Sequence, residues 1–94
     1  MKTKLTFAFQ AVPNPDFQSG HRATLRLPFQ MVPASDLKDA SARFRELIVE
    51  HDVGGGNLTK LAGRVFDERG RQIARISYNG RVWDNDGQEI KLEH

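Results

Sequence analysis

The sequence predicts an α+β domain in the order ββαβββ. One helix packs on an antiparallel sheet that ends in a β-meander, with a further short strand expected at residues 88–92. Three observations lead there: two apolar runs of period two, one run of helical period, and an eleven-residue unit that occurs twice. The unit is Gly63-Arg-Val-Phe-Asp-Glu-Arg-Gly-Arg-Gln-Ile73, repeated as Gly80-Arg-Val-Trp-Asp-Asn-Asp-Gly-Gln-Glu-Ile90, with six identical positions seventeen residues apart.

The first strand is read from Leu5, Phe7 and Phe9, which alternate with Lys4, Thr6 and Gln10. The second is read from Leu25, Leu27, Phe29 and Met31, alternating with Thr24, Arg26, Pro28 and Gln30. Turn formers between residues 13 and 20 join the two as a hairpin with a long loop. Pro28 cannot donate to a ladder, so its strand belongs at an edge or is unpaired there.

The period then changes. Leu37, Ala40, Phe44, Leu47 and Ile48 fall on one face of a helix over residues 36–50. Ser35 is its expected N-cap, Asp36 and Asp39 favour the positive end of its dipole, and the run Gly54–Gly56 is expected to end it. In the meander, Asp67–Gly70 and Asp84–Gly87 each place Asp first and Gly fourth, the pattern of a type I turn closed by a glycine bulge. Asn79-Gly80 reads as a two-residue hairpin loop. That loop would set Tyr78 opposite Arg81, Ser77 opposite Val82 and Ile76 opposite Trp83. Ala74, Ile76, Tyr78, Arg81 and Trp83 would then share a face toward the helix, with Trp83 its large core residue and Tyr78 stacked against Arg81.

Length and composition bound the function. Ninety-four residues allow one core, taken as residues 1–91, with 92–94 reading as the remnant of an affinity tag. The mixture, 38% apolar and 28% charged, is that of a globular chain. Without cysteine there is no disulfide, thiolate catalysis or Cys-based zinc site, and a cytoplasmic location fits best. No apolar run is long enough to span a bilayer. The apolar start is short, is interrupted by Thr6 and Gln10, and lacks an Ala-x-Ala cleavage site, so it reads as a strand rather than a signal peptide.

Chemical motifs are absent or resolve into structure. Gly54–Gly56 follows a helix, whereas phosphate loops precede one, so a cap and linker is the better reading. His51-Asp52 and His21 supply neither a positioned catalytic partner nor converging metal ligands. The residues Asp84 to Glu89 lack the alternating ligands of a calcium loop. No enzyme, cofactor or metal is therefore expected.

The arginines are distinctive. Nine of fourteen basic residues are Arg, and five of these lie between residues 64 and 81. A basic strip on a sheet, with aromatic rings nearby, is suited to single-stranded nucleic acid. The bland alternative is a solvated face whose arginine stems cover apolar surface. The candidate contacts for nucleic acid or another partner are Arg64, Arg71, Arg75, Arg81, Tyr78, Trp83 and Arg26.

The unit Val-aromatic-Asp-x-x-Gly-x-x-Ile resembles the strand–turn units of β-hairpin repeat families, among them the tyrosine–aspartate repeats of large bacterial surface proteins. The likeness covers residues 63–90 alone, differs in period, and brings no function with it. The expectation is a small, non-enzymatic intracellular binding module using the sheet face that the helix leaves uncovered. Lys4, Thr6, Arg26, Gln30 and Arg75 are the exposed candidates there. The partner would be a protein, or a second copy paired through a sheet edge. The alternative is nucleic-acid binding by the Arg-rich meander.

Overall fold

The computed structural model describes residues 5–92. The strands are β1 (Leu5–Ala11), β2 (Leu27–Ala34), β3 (Arg64–Phe66), β4 (Gln72–Ile76), β5 (Val82–Trp83) and β6 (Glu89–Ile90). The helices are α1 (His21–Thr24) and α2 (Leu37–Glu50). The six strands form one antiparallel sheet in the order β2-β1-β3-β4-β5-β6, and α2 lies across one face of it. This is the predicted α+β architecture with its C-terminal meander. Lys4 lies outside the described residues.

Burial on the helix side accounts for the apolar pattern. Phe7 and Phe9 meet Phe44 edge to face, with ring centroids 5.9 and 5.6 Å apart. Val65, Ala74, Ile76 and Val82 complete a core that α2 closes with Ala40, Phe44 and Ile48.

Both ends of α2 differ from expectation. Asp36, not Ser35, is the N-cap: its Oδ1 accepts from the Asp39 amide at 2.7 Å. The Asp39 carboxylate reaches back to accept from the Ser35 amide at 2.9 Å, so Ser35 is a donor to the cap rather than the cap itself. At the other end the helix stops before the glycines. Asp52 takes the left-handed conformation at φ 50°, its amide donates to Val49 and that of Val53 to Ile48. These are the two bonds of a Schellman motif, locked by the buried apolar pair Val53 and Ile48. Gly54–Gly56 instead lead into a 3-10 turn at Gly55–Asn57.

Strand β2 also departs from its predicted alternation. Thr24 belongs to α1, Leu25 follows it, and β2 begins at Leu27. Phe9 pairs with Gln30 but Ala11 with Leu27, so β2 carries one extra residue in a bulge around Pro28. The bulge inverts the alternation. Leu27 faces inward, Gln30, Val32 and Ala34 follow on that face, and Phe29 and Met31 point away, 48% and 42% exposed. Gln30 is thus not on the uncovered face; it lines a groove beside α2.

The largest correction concerns the hairpin at Asn79-Gly80. Arg75 pairs with Trp83 and Ile76 with Val82, while the Ser77 amide donates to the Arg81 carbonyl and the Gly80 amide to that of Ser77. The loop therefore has three residues, Tyr78 to Gly80, with Gly80 at φ 92°. The other two turns use the same bonds: Asp67 with Arg71 and Gly70, and Asp84 with Gln88 and Gly87. All three hairpins of the meander are type I turns closed by a glycine bulge. One added loop residue shifts the register by one, and that moves Trp83 from the core side to the opposite face. Val82, not Trp83, is the buried residue of β5.

Candidate binding face

The side of the sheet away from α2 is set by the same alternation that fills the core. Thr6 is paired with Pro33 on one side and Phe66 on the other, and Phe66 with Gln72. A second row runs Arg64, Arg75, Trp83 and Glu89 across β3 to β6. Phe29 and Met31 continue this face on β2. The bulge in the β3–β4 pairing turns Ile73 inward, where it packs against the core.

The structure thus brings together three of the seven candidates, Arg64, Arg75 and Trp83. Arg64 is half-buried and its Nε donates to the Lys60 carbonyl at 3.1 Å. Arg75 is exposed between Arg64 and Trp83. The half-buried Trp83 indole donates through Nε1 to the Ser77 hydroxyl at 3.3 Å. Two arginines directly opposite each other on neighbouring strands repel, so the fold gains nothing from this pairing.

The other four candidates are dispersed. Tyr78 sits at the α2 side: its hydroxyl donates to the Val53 carbonyl at 2.9 Å. The cation over its ring is Arg45, 5.3 Å from the centroid, and not Arg81. Arg45 also donates to the Tyr78 carbonyl at 2.7 Å. Arg71 and Arg81 lie at opposite ends of β4, in different turns. Arg26 is exposed just before the edge strand β2.

Local charge at the turns is built into the loop geometry. Asp67 Oδ1 accepts from the amides of Arg69 and Arg71 at 2.9 and 3.0 Å. Those backbone donors, the Arg71 amide first, hold its carboxyl below the usual carboxylate value. Asp39 is lowered in the same sense, first by the Ser35 amide and then by the Arg43 guanidinium. In the third turn Asp84 Oδ1 accepts from the Asp86 and Gln88 amides, both at 2.9 Å.

The two internal histidines meet at the junction of α1 and the end of α2. His21 Nε2 donates to the His51 carbonyl at 2.8 Å, and Arg22 pairs with Asp52 at 3.2 Å. The carboxylate beside the His51 ring is that of its neighbour Glu50, at 3.5 Å. These contacts tie two segments together. Among the described residues no three His, Cys, Asp or Glu side chains are grouped to hold a metal ion, and no helix is long and apolar enough to cross a membrane.

Sequence reasoning missed Arg45, Phe29 and Met31. A signal did exist for the register: Ser77 and Gly80 repeat the first-to-fourth spacing of Asp67 with Gly70 and Asp84 with Gly87. Arg45 had none, because its contact with Tyr78 joins residues 33 positions apart. Comparison with known proteins finds no matching family model, no matching curated protein and no matching solved structure.

Proposed function

We propose that this chain is a small, non-enzymatic binding module of the cytoplasm that engages a protein partner through the uncovered sheet face. The observation that carries the reading is the row Arg64, Arg75 and Trp83. Side chains on that row are not needed for the core, and the arginine pair opposes folding, yet arginine and tryptophan are the residues that dominate binding surfaces. The partner would present carboxylates to the two guanidiniums and an apolar side chain to Trp83 and Phe66. A cytoplasmic setting accords with a chain that has no cysteine.

The face is better suited than the edges. Edge strand β2 contains Pro28 and Pro33, neither of which has an amide to donate, and the opposite edge, β6, has two residues. Strand addition by a second copy would find few donors on either side.

Panning a random peptide library against the protein, with counter-selection on Arg75→Glu, tests the reading. Acidic peptides carrying an aromatic residue are expected, with amide shifts confined to β1, β3, β4 and β5. Peptides indifferent to Arg75→Glu would place the site elsewhere and sink the proposal. The same row favours a second reading, single-stranded nucleic acid stacked on Trp83 and gripped by the arginines. Fluorescence anisotropy with labelled oligothymidine at two salt concentrations separates the two. Micromolar binding that weakens steeply with salt, and that is lost in Arg64→Gln, would select the nucleic acid.

A further inference from the structure

A second surface lies on the α2 side, between the helix and the third hairpin. Residues from α2, from Asn79–Val82 and from β6 line an open pocket of about 510 Å³. Ala42 and Ile90 give it an accessible apolar lining, and Lys38, Arg45 and Arg81 contribute three cations from two separate segments. Among the described residues none of these three forms an ion pair. The carboxylate of Glu89, which also borders the pocket, lies 3.4 Å from Lys91 and is matched by it.

The wall between helix and hairpin is tied together. Ser41 Oγ donates to the Gly80 carbonyl at 2.6 Å, and Arg45 is held by the Tyr78 carbonyl and ring. A cation fixed by a neutral carbonyl and an aromatic face keeps its full charge while losing side-chain freedom. That is the preorganisation an anion site requires. The pocket is open and of small-molecule size, with more charged and polar residues than apolar ones along its lining.

We propose that this pocket binds a small organic phosphate, its anionic head among Lys38, Arg45 and Arg81 and its apolar body against Ala42 and Ile90. The inference is independent of the uncovered face, which is on the other side of the sheet.

Phenyl phosphate is the probe, followed by amide shifts of the full chain in solution. Perturbations are expected at residues 38–45, 79–82 and 89–91, saturating at about 1 mM or below. Inorganic phosphate and phenol, the two halves of the probe, should each bind at least about tenfold more weakly, since each forgoes one set of contacts. Arg81→Gln and Lys38→Gln, whose side chains make no hydrogen bond among the described residues, should keep the fold and weaken the probe by about tenfold, the loss of one charge-assisted bond. Equal binding of inorganic phosphate would reduce the pocket to a plain basic surface and overturn the proposal. So would shifts centred on Arg64 and Trp83, or unchanged affinity in both variants.

Discussion

The two faces of the sheet are made by alternate residues of the same strands, yet they obey different rules. On the helix side Phe7, Phe9, Val65, Ala74, Ile76 and Val82 are all buried, and burial alone explains each of them. On the other side the neighbouring residues Thr6, Arg64, Phe66, Arg75 and Trp83 are half-buried or exposed, and they include a like-charged pair. Composition follows packing on one face; on the other it departs from what the fold prefers. Departures of that kind point to function, because stability gives no reason to keep them.

The contrast breaks most visibly in paired aromatic deletions. Phe44→Ala removes the ring against which Phe7 and Phe9 pack, and should cost about 3–5 kcal/mol in urea denaturation. Phe66→Ala, on the uncovered face, should cost less than about 1.5 kcal/mol. Comparable losses would mean that both faces are structural.

Two glycines sharpen it next. Gly63 has φ 91°, and a Cβ there would run into the Ile76 carbonyl, while the Ile76 amide donates to the Gly63 carbonyl at 2.7 Å. Gly70 has φ 81° with open space around it. Gly63→Ala should therefore destabilise by about 3 kcal/mol and Gly70→Ala by about 1 kcal/mol, the latter from backbone strain alone. Thermal unfolding of the two variants reads the difference directly.

Smaller effects are expected on the uncovered face itself. Arg75→Thr relieves the repulsion from Arg64 and adds a β-branched residue, so stability should rise by about 0.2–1 kcal/mol. A loss instead would show that Arg75 has a structural role. The smallest effect is a pH dependence at the turns and the cap. Asp67 and Asp39 have carboxyls lowered from 3.8 in the folded state. Their contribution is present above that value and is lost as pH falls through the folded one. Stability should decline on acidification below about pH 4, and Asp67→Asn should flatten that decline in denaturation curves taken between neutral and acid pH.

Much of this architecture was legible in the residues themselves. Periods of two and 3.6 marked the strands and α2, and the Asp-to-Gly spacing of the doubled unit named two of the three turns. The third was misread because Asn79-Gly80 is a strong signal for a two-residue loop, while the weaker Ser77-to-Gly80 spacing was the one obeyed. Of the candidate site, Arg64, Arg75 and Trp83 were correctly named as belonging to the meander. Their alignment on one face was not foreseen, since the expected register set Trp83 among the core residues.

The turns at Asp67–Gly70 and Asp84–Gly87, the position of α2 and the hairpin pairing of successive strands thus follow from the sequence by itself, because each rests on contacts among near neighbours. The pairing of β1 with β3, by contrast, joins residues far apart in the chain. Which face each residue shows was decided by tertiary structure. A single extra residue in a loop at Tyr78–Gly80, or in a bulge around Pro28, reverses every side chain beyond it. The choice between registers is made by what α2 can bury: Val82 fits beneath the helix, and Trp83 is left with the arginines on the side where a partner can reach it.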